Sequence, residues 1–354
     1  MKKMIVFITL CFVMLEAKST PPQTTSSDIV WTVPEKKLPL PSTVSAELLQ
    51  VLSQIAPPNI KARSTFRFKS KQEWKDWVEY SQVSGEAGVR DWAKKYDVGI
   101  KQETIAGVNV YYVIARDFVP QVDKKLFIHL HGGAYIFGGG LSGVSEAILI
   151  ARRTMMPVLV IDYHMPPDSP FPAAQEDVVR VYKELLKTYD AKSIAMGGSS
   201  SGGGLVLSAI QKLKALKVEL PGALFVGTPW SDLSKTGDSL YVNEGIDRKI
   251  VTYNGFLPEA VKLYANGLDI KTPGLSPVYG DFSNFPPTML VTGTRDLFLS
   301  MTVRVHRKMR EAGVKADLNV YEGLSHVEYF VVPDSPESKE VYKELGLFLK
   351  QHLK

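Results

Sequence analysis

The sequence predicts an α/β fold: a mostly parallel central sheet flanked by helices. Short apolar runs alternate with amphipathic helical stretches along most of the chain, which is the pattern of strands joined by crossover helices. At 354 residues, 45% hydrophobic and 22% charged, the chain has room for one large domain with a smaller accessory part. A glycine-walled triple serine, AMGGSSSGGG at 195–204, falls between an apolar run and a helical pattern, at a strand-to-helix turn.

Residues 20–41, rich in Pro, Ser and Thr, read as a flexible lead. From Val44 to about Tyr96 the spacing is helical. Val44, Leu48, Val51, Leu52 and Ile55 form one apolar face, and Trp74 and Trp77 share one side of a second helix, to line an apolar pocket or to pack it down. VNVYYVIA then alternates like a strand. KLFIHLH, PVLVIDY, SIAMGG and GALFVG are short buried strands, separated by the helical patterns VSEAILIARR, PAAQEDVVRVYKELLKTY and GGGLVLSAIQKLKAL. The alternation breaks at 231–272, which reads as a helical excursion. It resumes with the strand PPTMLVTGT, a helix from Ser300, the strand ADLNVYE and a closing helix from Pro336. The expected organisation is therefore 1–19 as a leader, 20–97 as lead and N-terminal helices, 98–230 with 273–354 as the main domain, and 231–272 as an insert.

The leader expectation rests on the basic start MKK, a twelve-residue apolar run MIVFITLCFVML, and small residues at Ala17 and Ser19, a signal-peptide pattern cleaved after Ser19. It implies export to a periplasm or the medium. The rival expectation is an uncleaved N-terminal anchor. The run is short for a span, and no later window is apolar enough for one. The only cysteine, Cys11, lies inside that leader, so the mature chain has no disulfide, thiolate metal site or cysteine nucleophile. Net charge is +5, falling to about +3 once Lys2, Lys3, Lys18 and Glu16 are removed. With no dense basic run, nucleic acid is excluded as a partner. Nothing in the sequence separates a monomer from a homodimer.

Of the three serines only Ser200 has glycine two before and two after, at Gly198 and Gly202, the Gly-x-Ser-x-Gly spacing of a strained nucleophile turn. A phosphate loop would need a lysine at the helix start, and the first lysine is Lys212. A serine hydroxyl needs a base, and the base needs a carboxylate, in the order Ser, Asp or Glu, His. His129, His131 and His164 precede the serine, while His306 and His352 lie in helices. His326, in the loop EGLSHVEYF after a strand, has both order and position. Asp296 ends LVTGTRD just beyond a strand and is favoured over Asp281 and Asp317. Upstream, HLHGGAYIFGGG offers backbone N–H groups at Gly132, Gly133 and Ala134, which with the N–H of Ser201 would hold an oxyanion.

These patches resemble the hormone-sensitive lipase family of α/β-hydrolase esterases over most of 100–354. HGGAYIFGGG is similar to its His-Gly-Gly-Gly motif, DYHMPPDSPFPAAQEDV to its Tyr-Arg-Leu-Ala-Pro-Glu-His-Pro-Phe-Pro-Ala-Ala stretch, GGSSSGG to its nucleophile turn, and GTRDL with YEGLSH to its acid and base blocks. The resemblance implies an α/β-hydrolase fold with a helical cap built from the N-terminal segment and the late insert. It implies Ser200, Asp296 and His326 as nucleophile, acid and base, with Trp230, Tyr135, Trp74 and Trp77 as candidates for the pocket wall. Four positions depart from the family pattern: Ala134 for a third glycine, Ser199 for Asp or Thr, Ser300 for a second acid, and Val327 for glycine. The expected reaction is hydrolysis of small uncharged esters of short or medium acyl chain, with no metal or organic cofactor. A lactone or polyester hydrolase, and a binding protein on the same scaffold, are the alternatives.

Overall fold

The computed structural model describes residues 35, 37–120 and 124–354; the leader expectation for 1–19 lies outside them. Leu40–Lys354 form one compact unit. Its centre is one eight-stranded sheet of β1 (Val98–Ile105), β2 (Val108–Ala115), β3 (Leu126–Leu130), β4 (Val158–Ile161), β5 (Ile194–Ser199), β6 (Ala223–Gly227), β7 (Thr288–Gly293) and β8 (Ala316–Tyr321). The spatial order is β1-β2-β4-β3-β5-β6-β7-β8. The β1–β2 and β2–β4 pairs are antiparallel and the others parallel.

The inner strands β3 to β7 are buried at every residue, which is why they read as unbroken apolar runs. Alternate side chains feed two cores. Leu126, Ile128 and Leu130 of β3 face the core shared with α5 (Ala173–Leu185), α6 (Ser201–Ala215) and α9 (Leu299–Glu311). Phe127 faces the core shared with α4 (Ser145–Thr154) and α11 (Pro336–His352). Helices on both faces give the α/β-hydrolase layering expected from the sequence.

Strand β1 carries no such run. Its pattern of Val98, Ile100, Gln102 and Thr104 is that of a half-exposed edge strand, and it escapes the periodicity reading. N-terminal to it lie α1 (Ala46–Ser53), α2 (Ile60–Ser64) and the long α3 (Lys71–Lys95). The 231–272 stretch departs from the helical expectation. Only α7 (Ser239–Val242) and α8 (Phe256–Ala265) are helical there, because Gly237, Gly245 and Gly255 take φ of +132°, +74° and +91° and break the chain into turns.

The register sets the site. Leu130 of β3 pairs with Gly198 of β5, and Ser199 pairs with Gly227 of β6, so these strands end flush. The loops after β3, β5, β7 and β8 open at that one rim of the parallel sheet.

Candidate active site

Ser200 is the hinge between β5 and α6, with φ +60° and ψ −127°, a strained conformation for a side-chain-bearing residue. The backbone around it holds that strain. Ser200 N–H donates to Gly227 O (2.9 Å), and Ser200 O accepts from Trp230 N–H (2.9 Å) and Gly204 N–H (3.1 Å). The surrounding glycine is a matter of space. A Cβ on Gly198 would stand 2.2 Å from Leu130 O, and one on Gly202 would stand 2.0 Å from the same oxygen and 2.6 Å from His131 O. Strand β3 can therefore run directly against the turn.

His326 lies in the loop after β8, between Tyr321 and α10 (Glu328–Val331). Its Nδ1 donates to Asp296 Oδ1 (3.0 Å), which leaves the Nε2 lone pair facing Ser200 Oγ at 2.8 Å. Asp296, wholly buried beyond β7, is fully satisfied: Oδ1 also accepts from Phe298 N–H (2.8 Å), and Oδ2 accepts from Thr292 Oγ1 (2.8 Å). The Phe298 ring meets the imidazole edge-on, with centroids 4.8 Å apart, and fixes its tilt. The rival carboxylates stand elsewhere: Asp281 binds Lys214 and Ser283, and Asp317 is exposed on β8.

The loop after β3 passes beside Ser200. Gly132 is close enough that a Cβ there would sit 3.0 Å from Ser199 O and 3.3 Å from Ser200 Cβ. Gly133 has φ +119°, and a Cβ would strike Phe137 O at 2.1 Å, so no other residue fits. Ala134 follows in the left-handed region at φ +56°, keeping its N–H at the cost of a Cβ that glycine would lack. Ser201 opens α6, and its N–H is one of the unspent first-turn donors. Both Gly133 and Ala134 border the same cleft as Ser200 and His326.

A profile of proteins with the α/β-hydrolase fold matches residues 127–330, more than half of the chain. The chain is an α/β-hydrolase. A crystal structure of an esterase named E25 superposes with a TM-score of 0.89 at 47% identity, covering 92% of this chain and 99% of that one. An esterase from the bacterial hormone-sensitive lipase family superposes at 0.75 with 29% identity over 88% and 99%. An esterase of Acinetobacter venetianus is 28% identical over 71% of this chain and 82% of its own. An acetyl-hydrolase of Streptomyces hygroscopicus is 29% identical over 64% and 76%. The motif resemblance to the hormone-sensitive lipase family thus holds across the whole hydrolase fold.

The cleft of this hydrolase has a volume of about 380 Å³, at the small end of ligand pockets. Trp230 and Trp77 line it, together with Phe66, Phe68, Phe137, Ile250, Phe256 and Leu257, none of which the sequence marked. Trp74 does not line it. It is buried behind, its ring tilted at 35° against Phe68 with centroids 3.8 Å apart. Nor does Tyr135, whose ring lies flat on Tyr264 (4.0 Å) and whose hydroxyl donates to Trp230 O (3.2 Å), supporting the glycine loop from beneath.

Two buried carboxylates also escaped the sequence reading. Asp247, in the insert, accepts from Leu297 N–H (2.7 Å) and His326 N–H (3.4 Å) with one oxygen, and from Lys249 N–H (2.8 Å) and Ile250 N–H (3.1 Å) with the other. Burial, and then the nearby Asp296 charge, push its carboxyl above the usual range. Glu146 of α4 accepts from Ser199 Oγ (2.7 Å) and lies 3.1 Å from His129 Nε2, while Tyr329 OH also meets Ser199 Oγ at 2.6 Å. Where the family has Asp or Thr, Ser199 thus anchors the base of the turn to a buried acid. No motif betrays either carboxylate: Asp247 binds backbone N–H groups, which any residue offers, and Glu146 meets Ser199 and His129 from a separate helix.

Proposed function

We propose that this hydrolase is a serine carboxylesterase acting on short- to medium-chain acyl esters through an acyl-enzyme on Ser200. The observation that carries the reading is the unbroken chain Ser200 Oγ, His326 Nε2 (2.8 Å), His326 Nδ1, Asp296 Oδ1 (3.0 Å), set beside the glycine loop in an α/β-hydrolase. Esterase and acetyl-hydrolase relatives support the same reaction class.

In this mechanism His326 takes the Ser200 proton as the oxygen attacks the ester carbonyl, and buried Asp296 stabilises the resulting imidazolium. The backbone N–H groups of Gly133, Ala134 and Ser201 receive the oxyanion, each such donor typically worth about 3–4 kcal/mol. His326 then protonates the leaving alcohol, and water repeats the sequence on the acyl-enzyme. An apolar cleft of modest size favours short acyl chains. Export belongs to the same proposal, supported by the leader-like residues 1–19.

The test is a chain-length series of p-nitrophenyl esters on wild type, Ser200→Ala and Asp296→Asn. Wild type turns over the short esters. Ser200→Ala loses on the order of 10⁴-fold or more in kcat and takes up no organophosphate label. Asp296→Asn loses about 10⁴-fold in kcat with KM little changed, because the imidazole then presents the wrong tautomer. Full turnover by Ser200→Ala would end the reading.

A further inference from the structure

The wall of the cleft carries charge of one sign. Arg63, from α2, and Lys249, from the insert, both line it beside Ser200 and His326, and no Asp or Glu does. Several cations outside the lining are paired with carboxylates: Arg67 with Glu259, Arg248 with Glu328, Arg304 with Asp232 and Lys214 with Asp281. Among the described residues neither the Arg63 guanidinium nor the Lys249 ammonium has a carboxylate, carbonyl or ring partner. Asp247, two residues from Lys249, is bound to its backbone N–H and otherwise turned to Leu297 and His326. Glu244 accepts from Thr252 and Asn254 and is not part of the lining. Lys249 is also half-buried, and that burial draws its ammonium below the ordinary lysine range. Glu328 and Asp247 act on Lys249 only at a distance and neither forms an ion pair with it, so an anion in the cleft would supply the direct partner that this half-buried cation lacks.

We propose that the preferred substrate is an ester carrying a carboxylate a few atoms from the scissile bond, with Arg63 and Lys249 as the specificity-determining residues that hold it. The remaining lining fits such a molecule. Phe66, Phe68, Trp77 and Phe256 accept an apolar stem, while Thr252 and Asn254 add polar contacts near Lys249. The reaction is unchanged: the acyl carbon–oxygen bond breaks and water supplies the new hydroxyl, leaving a dicarboxylic acid or a hydroxy acid according to which side bears the charge. This inference rests on the esterase reading and replaces the uncharged substrate expected from the sequence.

The test compares kcat/KM for p-nitrophenyl butyrate, which is neutral, with the p-nitrophenyl monoester of glutaric acid (charge on the acyl side) and p-butyryloxybenzoate (charge on the alcohol side). The readout is the ratio of anionic to neutral kcat/KM in each protein, so a general loss of activity in a variant cancels. For at least one anionic ester the ratio falls about threefold to tenfold in Lys249→Gln and in Arg63→Gln, recovers in Lys249→Arg, and weakens in high salt. Ratios unmoved in both neutral variants, for both anionic esters, overturn the proposal and leave the esterase reading intact. A wild type that fails on p-nitrophenyl butyrate and on both anionic esters, or a Ser200→Ala variant that retains full activity, overturns both.

Discussion

Replacing Gly202 by Ala tests whether the close approach of strand and turn builds the site. The new Cβ would stand 2.0 Å from Leu130 O and 2.6 Å from His131 O, whereas ordinary contact needs about 3.4 Å. A gap of about 1.4 Å must therefore open. Neither obstacle is a side chain that can rotate away: both are backbone oxygens at the end of β3, a strand hydrogen-bonded on both sides to β4 and β5. Alanine in a helix gains about 1 kcal/mol over glycine, but overpacking against rigid structure costs about 1–3 kcal/mol or more. The net expectation is a loss of up to about 2 kcal/mol. The displaced segment runs straight into Gly132, Gly133 and Ala134, and a shift of about 1 Å in a positioned group lowers kcat/KM on the order of 10²-fold. The neighbouring change Gly203→Ala is the control. Its Cβ would meet Gly198 O and Gly227 O at 3.0 Å, a gap closed by a few tenths of an ångström. Urea midpoints and kcat/KM on p-nitrophenyl acetate decide the matter. A Gly202→Ala protein as stable and as active as Gly203→Ala would refute the reasoning.

Arg248→Met removes the partner of Glu328, whose side chain is completely buried and whose Oε2 also accepts from Ser325 N–H (2.8 Å) in the His326 loop. The uncompensated charge is expected to cost about 3–5 kcal/mol by chemical denaturation, with the double change Arg248→Met, Glu328→Gln costing less. His131 gives the pH dependence. Burial lowers its pKa to about 4, so between pH 4 and 6.5 the unfolded chain binds a proton that the folded chain refuses. Stability therefore falls as pH drops through that window, by about 3 kcal/mol at the bottom of it. Denaturation midpoints at pH 4.5 and 7 should differ accordingly, and the difference should shrink in His131→Phe.

The parallel strands were readable because burial on both faces leaves only apolar residues to place, and Ser200, Asp296 and His326 because each sits at a strand end, where chain order restricts the choice. The cleft was not readable in the same way. Phe66, Ile250 and Phe256 come from short helices and turns whose positions depend on contacts with the sheet, and such segments leave no periodic trace. Trp74 and Tyr135 show the converse. An aromatic near the site can serve by packing against the side chain that touches the cleft, as Trp74 does against Phe68, and spacing does not tell the two roles apart.

Asp247 gives the roof a hand in the chemistry beneath it. Because a single carboxylate in the 231–272 stretch grips the main chain at both Leu297 and His326, a segment that lines the cleft also braces the two loops that carry Asp296 and His326. Grafting that segment from a relative to alter selectivity would thus retune turnover as well, unless the graft brings its own acid to the same place.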